Sequence, residues 1–165
     1  MHIRGLIMDY THKIKKISEI IEVIGGTDSK IICCCGCFDI FHIGHLEYLT
    51  LSKRLGDILI VGVNSDRSYI EVKKKMPIFD VTIRMLLLAA LECVDYVFTF
   101  EEATFCKSLL SIKPHIFATG IDHKGKHMDE EDICFENGIE FMYIGEKKRT
   151  SSSEIISKIN LDGAV

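Results

Sequence analysis

The sequence predicts an α/β protein, a Rossmann-like parallel sheet of five strands with helices on both faces. Three observations carry that expectation. Short apolar runs of strand length alternate with helical patterns along the chain, the mark of βαβ units. The first runs are apolar at consecutive positions, as in strands buried on both faces. The polar oddities of the chain fall just after strands, where open parallel sheets bind ligands.

Composition sets the bounds. The chain has 165 residues, one domain's worth, and 47% of them are apolar and 27% charged. Glycine and proline together number 14 (12 plus 2), which excludes a disordered or collagen-like protein. A net charge of −4 argues against general nucleic-acid binding. No apolar run reaches the roughly 18 residues of a membrane span. Met1 to Lys16 holds no apolar core of signal-peptide length, so the chain is read as cytoplasmic. Of seven cysteines, four crowd into Cys33 to Cys37, a poor disulfide framework because neighbours on a strand face opposite ways. Cys33 to Cys35 are read as small buried apolar residues.

Thr11 to Ile24 places Ile14, Ile17, Ile20, Ile21 and Ile24 at helical spacing, with lysines and glutamates mostly opposite, and Gly25-Gly26 ends the pattern. Residues 1–29 are therefore expected to supply an amphipathic helix packed on a body formed by 30–165. Strands are expected at Lys30 to Cys35, Asp57 to Val63, Tyr96 to Phe100, from Ile116, and at Glu140 to Ile144. Helices are expected at Ile43 to Leu55, Val81 to Leu91, Phe105 to Ile112, Asp129 to Asn137 and Ser151 to Ile159, with a charged loop from Lys73 to Asp80. Four strand exits then converge on one cleft: Gly36–His45, Asn64–Asp66, Gly120–Asp122 and Arg149–Ser153.

The most informative of them is Cys35-Gly36-Cys37-Phe38-Asp39-Ile40-Phe41-His42-Ile43-Gly44-His45. His42 and His45, three apart at a helix start, share one helix face. Free N–H groups and the positive end of the helix dipole make that spot a seat for phosphate, and two imidazoles can donate to one polyphosphate. Gly36 lets the chain turn close to a ligand, and Gly44 leaves room for a flat ring. The bland reading of the histidines is an accident of core or surface; a zinc site with Cys35 or Cys37 is another. Lys73–Lys75 and Lys147–Arg149 are, by themselves, ordinary solvated charge. Cys37, near a helix start, is the cysteine expected to have a lowered thiol pKa.

These residues resemble the cytidylyltransferase-like nucleotidyltransferases. The resemblance begins with Gly36-Cys37-Phe38-Asp39 and His42-Ile43-Gly44-His45 and continues through Leu55 to Asp66. It runs on through Arg84-Met85 to Asp95 and Lys113-Pro114-His115 to Asp122, and ends with Ser151-Ser152-Ser153-Glu154-Ile155-Ile156. Within the family the chain is most similar to the stand-alone heptose 1-phosphate adenylyltransferases, and next to the glycerol-3-phosphate cytidylyltransferases. The resemblance implies that His42 and His45 bind the triphosphate and stabilise its transition-state charge, with Lys73 as a further catalytic group. It assigns Gly36, Cys37, Phe38, Asp39, Gly44, Gly120, Asp122, Arg149, Ser151, Ser152 and Ser153 to the nucleotide. Lys74, Lys75, Asn64, Asp66 and Arg84 fall to the acceptor. No residue is assigned to a protein-held metal; Mg²⁺ would arrive with the nucleoside triphosphate. A homodimer is also implied.

No nucleophile motif is present, so direct attack by an acceptor phosphate oxygen on the α-phosphorus is expected, with pyrophosphate leaving. The favoured pair is ATP with D-glycero-D-manno-heptose 1-phosphate. The alternatives are CTP with glycerol 3-phosphate or a related polyol phosphate, and a nucleotide- or zinc-binding module without turnover.

Overall fold

The computed structural model describes residues 10–146 and 151–162. Strands β1 (Ile31–Gly36), β2 (Ile58–Asn64), β3 (Tyr96–Phe100), β4 (Ile116–Gly120) and β5 (Glu140–Ile144) form one sheet in the order β3-β2-β1-β4-β5. Every pairing is parallel, from Ile31 opposite Ile58 to Gly120 opposite Ile144. The five-stranded α/β expectation holds. Chain order runs outward from β1 to β2 and β3, then returns to its other side for β4 and β5. Such a reversal opens a crevice at the carboxyl ends of β1 and β4.

Seven α-helices lie among the described residues: α1 (Ile17–Ile24), α2 (Ile43–Lys53), α3 (Asp66–Lys73), α4 (Val81–Ala89), α5 (Cys106–Ile112), α6 (Asp129–Glu136) and α7 (Ser152–Asp162). Successive strand residues face opposite ways, so β1 feeds two cores at once. Ile32 and Cys34 join Leu49 of α2 and Leu88 of α4 on one face. Ile31 and Cys33 join Ile20 of α1, Leu109 of α5 and Cys134 of α6 on the other. All seven cysteines are free thiols, and Cys33 and Cys34 are fully buried, which is the packing role expected of them. No helix among the described residues is long and apolar enough to cross a membrane.

Two expectations need correction. The helix drawn from Thr11 starts only at Ile17. Before it, Thr11–Lys13 is a 3₁₀ turn and Ile14 makes a parallel bridge to Val97, with the Lys15 N–H donating to the Val97 carbonyl at 3.0 Å. The open edge of β3 offers those groups partners, and that outweighs helical periodicity. The lead-in thus crosses the sheet edge: Ile14 packs on the first core, Ile17, Ile20, Ile21 and Ile24 on the second. The other correction is α3, which the sequence leaves as a polar turn and the start of a loop. Ser65 caps it, accepting from the Ser68 N–H, and Lys74 ends it in the left-handed region (φ 55°). Lys73 therefore belongs to a helix end rather than to a loop.

Candidate active site

The carboxyl ends of the strands enclose a cleft of about 810 Å³. Of the expected site residues it is lined by Gly36, Cys37, Phe38, Asp39, His42, Gly44, His45, Asn64, Lys73, Lys75, Gly120, Asp122 and Ser151–Ser153. A volume of this size suits a nucleotide and a small second substrate. The strand exits predicted to meet do meet there. Arg149 lies outside the described residues.

The turn after β1 is built to be held still. Phe38 sits in the left-handed region (φ 49°), a strained position for a bulky residue. The surroundings over-determine it. Asp39 is buried, and its Oδ1 accepts the Ile78 and Phe79 N–H groups at 2.8 and 2.9 Å while its Oδ2 accepts the Tyr69 hydroxyl at 2.9 Å. Arg84, 0% exposed, donates to the Cys37 carbonyl and to Asp66 Oδ1, both at 2.7 Å, and to the Phe79 carbonyl at 3.0 Å. Asp66, Lys74 and Arg84 do not line the cleft. Arg84 and Asp66, expected at the acceptor, instead brace the turn from behind, because a guanidinium's fixed fork satisfies three acceptors at once.

His42 occupies the cap position of α2 and His45 its first turn. Their rings stack with centroids 3.8 Å apart and planes 18° from parallel. Phe38 meets His45 edge-on at 5.1 Å and Phe41 lies 5.7 Å away. Burial, and then the neighbouring His42, push the His45 imidazole down to about 4, with Asp122 opposing. The ring is therefore neutral near pH 7. Its Nδ1 is buried with no hydrogen-bond partner among the described residues. Tyr48 locks α2 over the crevice by donating to the Ala118 carbonyl of β4 at 2.7 Å.

Cys37 corrects another expectation. Its thiol is raised, not lowered, because burial outweighs the pull of Lys73 and Arg84. It precedes α2 by several residues rather than standing in its first turn, and its thiol donates to Asn64 Oδ1 at 3.5 Å. Across the cleft, Ser151 and Glu154 form a reciprocal cap at the start of α7: the Ser151 N–H donates to Glu154 Oε2 at 3.0 Å and the Glu154 N–H to Ser151 Oγ at 3.3 Å. Ser152 Oγ reaches the Ile40 carbonyl at 3.4 Å, tying that helix to the turn after β1. At Gly120 a Cβ would stand 2.5 Å from Asp122 Oδ1, so glycine is what allows that carboxylate to fold back beside the strand end. Among the described residues no three His, Cys, Asp or Glu side chains are grouped as a metal cage.

The sequence reading missed one wall. Phe100, Ala103, Thr104 and Phe105 from the β3 exit, and His127 to Glu130 before and within α6, also line the cleft. The signal was available, since Phe100 to Thr104 follows a strand as the other polar stretches do.

A parallel sheet reversing at β1, with paired imidazoles and a helix start facing each other across its crevice, defines an α/β protein of the nucleotide-binding kind. The chain belongs to the cytidylyltransferase-like family, whose model matches residues 33–158. It is 42% identical over 157 residues to the bifunctional protein HldE of Helicobacter pylori strain G27, covering 94% of this chain and 33% of that protein. It is 39% identical over 153 residues to its counterpart in Campylobacter jejuni subsp. doylei, covering 92% and 32%. The chain thus spans about a third of the length of the curated relatives it matches. Among solved structures, a lipopolysaccharide core biosynthesis protein from Thermoplasma volcanium is similar over 73% of this chain and 99% of its own, at 32% identity and a TM-score of 0.63. A pantoate–β-alanine ligase from Francisella tularensis (16% identity, TM-score 0.58, 85% and 68% covered) shares the fold.

Proposed function

We propose that this chain transfers a nucleoside monophosphate from a nucleoside triphosphate to a sugar phosphate, releasing pyrophosphate, with ATP and D-glycero-D-manno-heptose 1-phosphate as the pair. The observation that carries the reaction class is the stacked His42–His45 pair at the mouth of α2, inside the crevice where β1 and β4 part. The choice of pair is supported by the resemblance of the motifs to heptose 1-phosphate adenylyltransferases. The lipopolysaccharide role in the name of the T. volcanium protein supports it too.

In this reading the triphosphate lies along the start of α2, and the nucleoside end lies toward Gly120, Asp122 and α7. With the His45 lone pair on the orphaned Nδ1, the proton sits on Nε2 and donates to a phosphate oxygen; a buried N–H without an acceptor would cost more. The Nε2–H donor is held in place by the packing of the ring, so the grip strengthens as negative charge builds on the leaving pyrophosphate. Lys73 and Lys75 draw the acceptor phosphate to the other side of the α-phosphorus. One of its oxygens, already ionised at pH 7, forms the new P–O bond while the bond from α-phosphorus to the pyrophosphate oxygen breaks. No general base is required, and catalysis is positioning plus charge stabilisation. Mg²⁺ would come with the nucleoside triphosphate rather than on side chains of this chain, and would supply neutralisation of phosphate charge.

A crossed assay tests the proposal: ATP or CTP, each with heptose 1-phosphate or glycerol 3-phosphate, read by pyrophosphate release. ATP with the heptose phosphate should dominate. Dominance of CTP with glycerol 3-phosphate would replace the substrates, and silence of all four combinations would remove the enzyme reading.

A further inference from the structure

The geometry points to Glu130 as the residue that reads the hydroxyl groups of the acceptor sugar. This rests on the sugar-phosphate reading above. Glu130 stands in the first turn of α6, is 8% exposed and lines the cleft. Its Oε1 accepts the Phe105 N–H at 2.7 Å, which fixes the side chain against the start of α5. Its Oε2 has no hydrogen-bond partner among the described residues, yet it is not sealed in the way the orphaned imidazole nitrogen is. It therefore opens on the cleft. Of the other acidic residues of that turn, Glu131 accepts from Tyr143 and Asp132 lies near His127, while Asp129 also lines the cleft but is a largely exposed group beside His127.

A carboxylate so deeply placed needs a donor from somewhere. It does not serve phosphate, which it would repel; the imidazoles, Lys73 and Lys75 supply the groups that favour phosphate, and of the other carboxylates that line the cleft Asp39 is already taken up by three donors. A ligand end rich in hydroxyls and free of charge is what it fits, since a carboxylate accepts from a diol at both oxygens. Two such ends enter the proposed reaction, the ribose and the acceptor sugar. Glu130 is bonded to Phe105, which follows the β3 exit, whereas Gly120 and Asp122 stand at the β4 exit. The ribose goes with the latter, so the acceptor sugar takes Glu130. With lysines at one end and a carboxylate at the other, the sugar phosphate is oriented by its own polarity.

Glu130→Gln separates this role from a structural one. Its amide oxygen still accepts from Phe105, while the cleft-facing atom changes from acceptor to donor. KM for the sugar phosphate should rise roughly ten- to a hundredfold, the scale of losing a hydrogen bond to a charged group. KM for the nucleotide and the melting temperature should stay put. A monodeoxy series of the heptose 1-phosphate, run on the wild-type chain, supplies the second reading. One missing hydroxyl should lower kcat/KM by more than about tenfold, and that penalty should vanish in Glu130→Gln. An unmoved acceptor KM, a raised nucleotide KM, or a deoxy series without a penalty overturns the inference while the enzyme reading stands. A wild-type chain that turns over no sugar phosphate overturns both.

Discussion

His45 is the residue on which the phosphate clamp depends most directly. Replacing it with alanine should lower turnover at least ~10²-fold, the usual loss for one transition-state donor, and a pyrophosphate-release assay checks it. Its titration gives a second expectation. The unfolded chain binds the His45 proton near pH 6.5, the folded chain only near 4. Between those values the unfolded state holds more protons, so this ring's contribution to stability is present above pH 6.5 and is lost as pH falls toward 4. Urea unfolding from pH 7.5 to 4.5 should show that slope, and His45→Asn should flatten it. Arg84 shows how a residue can be necessary without touching a ligand. Arg84→Met leaves the Cys37 and Phe79 carbonyls and the half-exposed Asp66 without their donor and should cost about 1–3 kcal/mol by denaturation. Arg84→Lys should restore little, since an ammonium lacks the fork. That Arg84 mattered was readable in the sequence; that it faces away from the cleft was not, because burial of a charge depends on acceptors from three separate segments.

At the scale of elements, strands were the most legible part. The runs of β1 to β5 are apolar enough to announce themselves, and the β3 and β5 boundaries agree with the expected ones. Helix α3 was not legible, since Ser68 and Tyr69 are buried through hydroxyl hydrogen bonds rather than through an apolar stripe. Helix α7 was anticipated, and its cap is testable. Ser151→Ala removes the oxygen that accepts from Glu154, should cost about 1 kcal/mol of helix stability, and should raise nucleotide KM. Gly62 links β2 to the missed wall: a Cβ there would stand 2.2 Å from the Phe105 ring. Gly62→Ala should therefore displace Phe105 and, through the Phe105–Glu130 hydrogen bond, raise the acceptor KM more than the nucleotide KM.

For the whole molecule, one sheet carries two cores, and β1 contributes to both. Damage on one face should reach the other. Ile20→Ala, in the helix that precedes the sheet, should cost about 2–5 kcal/mol and should lower a single unfolding transition rather than detach a segment. Far- and near-ultraviolet circular dichroism melting at coincident temperatures checks this. Two separated transitions would show that residues 10–29 fold apart from the rest.

Sequence alone determined the alternation of strands and helices, the parallel sheet, the sides of β1, and the histidine pair with the strand exits around it. Those features are local: periodicity, punctuation and spacing are written in neighbouring residues. Tertiary structure decided which polar groups turn inward. It sent Asp39 and Arg84 to brace a strained turn, raised the Cys37 thiol by burial, drew the lead-in chain onto the edge of β3, and aimed Glu130 into the cleft. Each of those outcomes depends on partners dozens of residues away, and desolvation is a property of where a group ends up rather than of what stands beside it in the chain.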